Sequence, residues 1–296
     1  MKINKKTPFC IAVVGPTAVG KSDFAIALAK KLGGEIISAD SRQVYKGLDI
    51  GSGKVTKREM RRVPHHLLDV AQLLPKNKKP APRFSVSDFK KLAQEKIEDI
   101  FARGHIPIIC GGTGLYVDTL LSGAVYPEVA PNKKLRDELG KKTAEELFFI
   151  LKKLDAGRAK TIDAKNPVRL IRAIEIAKAL GNVPKIKNKA KHKTLYVGLN
   201  TDDAQLRSNI HERLLKRISI GMIEEVQKLQ KGTNGKNGVS WARLEELGLE
   251  YKYCALFLQK KITKSHMLET LEKEIWQYAK RQRTWWKKNK DIVWIT

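Results

Sequence analysis

Cysteine is scarce. Cys10, Cys110 and Cys254 stand far apart, with no C-x-x-C pair and no His/Cys ligand spacing. That argues against a disulfide framework and a structural zinc site, and it points to a reducing compartment, the cytoplasm. Long apolar runs are missing as well. None approaches the roughly 20 residues that cross a bilayer, so no membrane association is expected. The basic start Met1-Lys2-Ile3-Asn4-Lys5-Lys6 leads into a short apolar stretch, Phe9-Cys10-Ile11-Ala12-Val13-Val14, that reads as a core strand rather than a signal peptide. Acidic residues are the third shortage: 31 Asp+Glu stand against 58 Lys+Arg, a net charge of +27 over 296 residues. Such a field attracts polyanions, nucleic acid first. An enzyme acting only on small molecules has little use for so large an excess, although single lysines can be merely solvated.

What is present is organised around Gly15-Pro16-Thr17-Ala18-Val19-Gly20-Lys21-Ser22. It follows the apolar strand and precedes a helical pattern with Phe24, Leu28 and Leu32 on one face and a stop at Gly33-Gly34. Strand, glycine loop and helix in that order make this a P-loop. The glycines let backbone N–H groups converge on phosphate oxygens at the positive end of a helix dipole. Lys21 adds a mobile cation, and the Ser22 hydroxyl is a ligand for Mg²⁺. The loop recognises a diphosphate whatever is attached to it.

Further strands supply the rest of a crevice. Glu35-Ile36-Ile37-Ser38-Ala39-Asp40 is a buried strand ending in an acid, and ligands of parallel α/β sheets sit beyond the carboxyl ends of strands. The polar, glycine-punctuated stretch from Ser41 to Lys54 reads as a functional loop. Pro64–Val70 reads as a short strand, whose adjacent His65 and His66 face opposite ways and so do not suit one metal. Pro75–Pro82 is a basic loop, and Ser85 or Ser87 caps a following helix. Ile106–Cys110 is another core strand, and it runs into Gly111-Gly112-Thr113-Gly114-Leu115-Tyr116, where Thr113 is the side-chain donor.

From 117 to 193 strand signals vanish. This reads as a helical insertion in an α/β core made of 1–116 and 194–296. Within it, Asn166-Pro167-Val168-Arg169-Leu170-Ile171-Arg172 sets two arginines on one helix face. After the return strand Thr194–Leu199, a long helix capped by Asp202 runs to about Lys231, and Gly232–Gly238 is a loop. Glu269–Lys288 reads as a helix ending in Lys280-Arg281-Gln282-Arg283-Thr284-Trp285-Trp286-Lys287-Lys288. Arginines interleaved with tryptophans suit RNA, since guanidinium binds phosphate and indole stacks on bases. One of the paired tryptophans belongs to the core.

These stretches together resemble the tRNA dimethylallyltransferases (tRNA isopentenyltransferases): GPTAVGKS at 15–22, DSRQVYKGLDIGSGK at 40–54, FSVSDF at 84–89, GGTGLY at 111–116, NPVRLIRAIE at 166–175 and KRQRTWW at 280–286. The resemblance implies a P-loop parallel-sheet core with a helical insertion domain. It implies transfer of a dimethylallyl group from dimethylallyl diphosphate to the exocyclic amine of the adenosine 3′ of a tRNA anticodon, assisted by Mg²⁺. By likeness, Gly15, Pro16, Thr17, Ala18, Val19, Gly20, Lys21 and Ser22 hold the diphosphate and Arg213 contacts it. Asp40 is the general base, with Thr113 beside the target nucleotide. Ser41, Arg42, Gln43, Arg136, Arg169, Arg172, Lys280, Arg281, Gln282, Thr284 and Trp285 are the implied tRNA contacts. A monomer with no obligate protein partner is expected. Where many members carry G-Y-[RK]-[QE], this chain has Gly248-Leu249-Glu250-Tyr251-Lys252-Tyr253. Two other readings share the loop. A small-molecule or nucleoside kinase using ATP leaves the charge and the 280–288 helix unexplained; a nucleic-acid-binding ATPase leaves the missing helicase-type segments unexplained.

Overall fold

The computed structural model describes residues 8–74, 81, 83–186, 188–232 and 238–295. The basic start at 1–6 and most of the 75–82 and 232–238 loops lie outside the described residues. The described chain divides into two compact units, Met1–Gly123 with Ala190–Thr296, and Ala124–Lys189.

The first unit is a parallel sheet. Its strands are β1 (Phe9–Val14), β2 (Gly34–Ser38), β3 (His65–His66), β4 (Ile106–Cys110), β5 (Lys193–Leu199) and β6 (Ile292–Ile295). They are ordered β3-β2-β4-β1-β5-β6, with every pair parallel. Alternation along β1 separates two cores. Cys10, Ala12 and Val14 join one, with Phe89 and Trp286, while Ile11 and Val13 join the other, with Ala25, Ile26 and Ala29. Burial on both faces is what an all-parallel sheet requires.

Helices α1 (Lys21–Leu32), α2 (Val86–Ala102) and α3 (Gly114–Leu121) follow β1, β3 and β4. Gly33, in the left-handed conformation, ends α1. Ser85, not Ser87, caps α2 through a capping box with Asp88. The stretch 64–70 pairs with β2 only at His65 and His66, because Leu67 (φ 63°) and Asp69 (φ 57°) leave the extended region. His66 Nε2 then meets the buried Glu35 carboxylate at 2.6 Å, which Arg103 and His105 also bond.

The second unit holds α4 (Lys133–Leu139), α5 (Ala144–Leu154), α6 (Ala156–Ala159) and α7 (Pro167–Leu180) around Leu135, Leu139, Leu147, Leu151, Leu170 and Ile174. It is narrower than the 117–193 drawn from the pattern. Helix α3 buries Tyr116, Val117, Leu120 and Leu121 in the first unit's core. The chain closes with α8 (Asp203–Ser219), α9 (Met222–Lys231), α10 (Trp241–Leu247), α11 (Leu249–Leu258) and α12 (Lys264–Trp286). One continuous helix from Asp202 to Lys231 is therefore corrected to two. Gly221, at φ 102°, breaks it. Helix α12 starts earlier than Glu269, at the Thr263 cap.

Candidate active site

The carboxyl ends of β1, β2 and β4 deliver the glycine loop, Asp40 and the Gly111–Gly114 turn to one edge of the sheet. Gly15 leaves β1 at φ 142°, and a Cβ there would lie 2.3 Å from the Leu199 carbonyl oxygen, so only glycine fits. Ala18 (φ 65°) and Gly20 (φ 87°) complete the loop, and no side chain caps α1. Its first N–H groups are thereby free for an anion. Lys21 Nζ donates to Pro16 O at 2.5 Å. From outside, Asn209 Nδ2 of α8 donates to Ala18 O at 3.1 Å, and Arg213, one turn later, donates to Thr17 Oγ1 at 2.6 Å.

The cations here are poised for a negative ligand. Burial, reinforced by Arg213, pushes Lys21 down to about 8 against the opposing pull of Cys110 and Asp40. Burial and the neighbouring Arg217 push Arg213 below its ordinary value, although a guanidinium stays charged at neutral pH. A diphosphate would relieve both.

Asp40 is half-buried, and both of its bonds fall on Oδ1, from Arg42 N at 2.7 Å and Gln43 N at 3.3 Å. That fixes the carboxylate and leaves Oδ2 for a proton donor. Thr113 begins α3 without capping it. Its Oγ1 accepts from Ser41 N at 3.1 Å, and it also bonds Tyr278. Arg42 donates to Leu247 O at 2.8 Å, and Gln43 bonds Ser38 and Gly53, so both side chains are held in place with donors to spare.

Helix α12 presents two different faces. Tyr278, Gln282 and Trp285, at i, i+4 and i+7, turn inward. Gln282 Oε1 accepts from Thr17 N at 2.7 Å, while its Nε2 donates to Gly112 O at 2.8 Å, so one amide fastens both glycine loops. Trp285 Nε1 donates to Asp118 at 2.8 Å and covers Gly114, where a Cβ would come within 2.4 Å of the indole. Tyr278 reaches Thr113, and burial together with Asp40 pushes its phenol up to about 12. Lys280, Arg281 and Thr284 stay exposed, and the core tryptophan of the pair is Trp286. The residue pattern did not single out Tyr278 or Asn209. For Tyr278 the i, i+4, i+7 spacing with Gln282 and Trp285 was a usable signal; for Asn209 there was none.

In the helical unit Arg136 reaches both oxygens of Glu175 at 2.7 Å, and Arg172 bonds Glu175 and Val129 O. Arg169 is exposed, with a loose 3.7 Å pairing to Asp163.

A P-loop parallel sheet whose phosphate loop is fronted by a carboxylate and a hydroxyl, and roofed by a basic aromatic helix, defines a group-transfer enzyme that takes a phosphorylated donor. The sequence model of the IPP transferase family matches residues 43–289, and that of the isopentenyl transferases matches residues 9–76. The tRNA dimethylallyltransferase 2 of Treponema denticola is 43% identical over 94% of this chain and 91% of its own; that of Trichlorobacter lovleyi is 41% identical over 94% and 87%. The full-length tRNA isopentenylpyrophosphate transferase of Bacillus halodurans superposes with a TM-score of 0.69 at 34% identity, covering 98% of this chain and 90% of that one. A eukaryotic dimethylallyltransferase caught acting on tRNA gives 0.81 at 26% identity, over 98% and 74%. The chain belongs to the tRNA dimethylallyltransferase family.

Proposed function

We propose that this protein transfers the dimethylallyl group of dimethylallyl diphosphate to N6 of the adenosine 3′-adjacent to the anticodon in the tRNA anticodon stem-loop. The observation that carries this reading is the double use of α12. Its inner face fastens the diphosphate loop through Gln282, and its outer face offers Lys280, Arg281 and Thr284 to a polyanion. A small-molecule kinase has no need of that coupling.

In the reaction the adenine amine attacks C1 of the dimethylallyl group as the C–O bond to diphosphate breaks. An exocyclic amine is a weak nucleophile, so removal of its proton by Asp40 assists the attack. Thr113, tied to Ser41 and Tyr278, sets the position of the base beside that carboxylate. Lys21, Arg213 and the loop N–H groups take up the charge of the departing diphosphate. Taking the target base out of its stack costs least in a loop, as in other enzymes that flip bases.

Ser22, exposed at the first turn of α1, offers a hard oxygen of the kind Mg²⁺ prefers. Among the described residues no group of three or more His, Cys, Asp or Glu side chains gathers around a metal, so the remaining ligands would be diphosphate oxygens and water. Bound there, the ion would add positive charge against the leaving group. We read the enzyme as a cytoplasmic monomer; among the described residues no helix is long and apolar enough to cross a membrane.

The test offers purified protein unmodified tRNA and Mg²⁺, with dimethylallyl diphosphate or ATP in separate tubes. Only the prenyl donor should yield modified tRNA, with one group on the adenosine after the anticodon. ATP turnover onto a small molecule, with no prenyl transfer to any tRNA, would overturn the reading in favour of a kinase.

A further inference from the structure

The segment 248–253, where this chain departs from the family's common motif, packs beneath the loop that follows Asp40. Four consecutive backbone N–H groups of that loop are caught from below. Glu225 Oε2 accepts from Asp49 N at 3.0 Å and Ile50 N at 2.6 Å, and its Oε1 accepts from Gly51 N at 3.1 Å. Ser52 N donates to Tyr251 Oη at 3.1 Å, and the Tyr251 hydroxyl itself donates to Glu225 Oε1 at 3.0 Å. A carboxylate accepting three backbone N–H groups and a phenol is a strongly satisfied acceptor. Next to it, Arg217 donates to Gly51 O and pairs with the buried Glu250.

The fit is close. A Cβ on Gly51 would lie 2.8 Å from the Tyr251 ring, and one on Gly53 would collide with the Arg217 guanidinium. Glycine at both positions is therefore set by what packs under the loop. Tyr251 is 1% exposed, so its ring and hydroxyl are out of reach of an RNA.

The network continues upward. The Gly53 carbonyl, one residue beyond the bonded Ser52 N–H, accepts from Gln43 Nε2 at 3.2 Å, and Gln43 Oε1 accepts from Ser38 Oγ at 2.9 Å. Those two contacts fix which way the Gln43 amide points, and Gln43 N in turn bonds the Asp40 carboxylate at 3.3 Å.

We propose that Tyr251 and Glu225 are positioning residues for the acceptor nucleotide, acting on it through Gln43. The inference rests on the prenyl-transfer reading, within which Gln43 lies on the acceptor side. The buried Tyr251 phenol and Glu225 carboxylate hold the acceptor loop in register. Neither residue bonds the diphosphate loop, so donor binding should be spared.

The experiment is a double-mutant cycle in the full-length protein. Tyr251→Phe keeps the ring in the core and removes one hydroxyl; Glu225→Gln is the second, independent probe. Each should raise KM for tRNA by about tenfold, the scale of one buried hydrogen bond, and leave KM for dimethylallyl diphosphate unchanged. In a Gln43→Ala background, either change should add less than about twofold. A purely structural role predicts additive losses and a parallel rise in both KM values. Full additivity, an unaltered tRNA KM in both single variants, or a Gln43→Ala protein with wild-type tRNA KM overturns the inference while prenyl transfer itself stands. Absence of prenyl transfer by the wild type instead removes the functional reading on which it rests.

Discussion

In the helical unit, Arg136 and Arg172 both end on the Glu175 carboxylate, whose side chain is 1% exposed. At the glycine loop, Lys21 and Arg213 end on neutral oxygens, the Pro16 carbonyl and the Thr17 hydroxyl. Both regions gather positive charge, and the family resemblance implies that both meet a phosphate. The difference lies in who holds the anion. Around Glu175 the protein supplies it. Burial pushes that carboxyl up, but hydrogen bonds from Arg136, Asn132 N and Arg172 outweigh burial and hold it below the usual range. Around the loop no carboxylate among the described residues pairs with Lys21 or Arg213, and Asp40 acts on them only from a distance. A cation whose partner is built in is already neutralised; a cation left on a neutral oxygen can still take up an anion.

The largest effect should come from exchanging these roles. Lys21→Met should lower turnover by about 10³-fold with little change in thermal stability, since the charge it removes serves the diphosphate, bound and departing, and pairs with no carboxylate in the fold. Glu175→Gln should do the reverse. It should cost about 2 kcal/mol of stability, less than a fully buried pair because both guanidinium groups are more than a third exposed and solvent screens them. Turnover per folded molecule should hold. Thermal melts beside single-turnover rates check both, and a catalytically dead but fully stable Glu175→Gln protein would break the distinction.

Asp40→Asn comes next. The amide keeps its acceptor oxygen for Arg42 N and Gln43 N but cannot take a proton, so turnover should fall by ~10²-fold or more. Binding of tRNA and of inorganic diphosphate, measured by titration calorimetry, should remain. Wild-type turnover would remove Asp40 from the chemistry and leave it a loop anchor.

A subtler consequence separates the two regions by pH. Lys21 titrates at about 8 because burial and Arg213 disfavour its charged form more than Asp40 and Cys110 restore it. Below that pH the ammonium is already present and, once the ligand's own ionisation is subtracted, diphosphate affinity should be flat. Above it, binding must take up a proton, so affinity should fall by about tenfold per pH unit. Glu175, held low, stays ionised throughout this range. Diphosphate titrations from pH 6.5 to 9 read the break directly, and a flat profile would show that Lys21 keeps its proton.

Why the glycine loop was legible in the sequence and the Glu175 hub was not follows from the range of the interactions. GPTAVGKS carries its strand, turn and helix within adjacent residues, and the ends of β2 and β4 declare themselves by apolar runs closing on Asp40 and Gly111. Nothing local marks Glu175 as the partner of Arg136, thirty-nine positions earlier, or Glu225 as the acceptor for Asp49, Ile50 and Gly51. Those pairings exist only once helices have packed. Helix α12 sits between the extremes. Its basic-aromatic composition announced RNA, but composition alone could not tell that Gln282 and Trp285 turn inward while Lys280 and Arg281 turn out.

That last division gives the smallest effect and the cleanest. Arg281 is exposed on the outer face of α12, 5.9 Å from the Tyr278 ring centroid, and no carboxylate among the described residues pairs with it. If its charge meets a tRNA phosphate, binding releases counterions there, and each such contact steepens the salt dependence of affinity. Arg281→Ala should weaken tRNA binding severalfold at low salt and reduce the slope of log K against log salt by about 0.7–0.9. The diphosphate site should not notice, because Gln282 next to it carries the link to Thr17 and Gly112. Filter binding across a salt series, with calorimetry for diphosphate on the same preparations, checks both halves. An unchanged slope would show that Arg281 meets no tRNA phosphate.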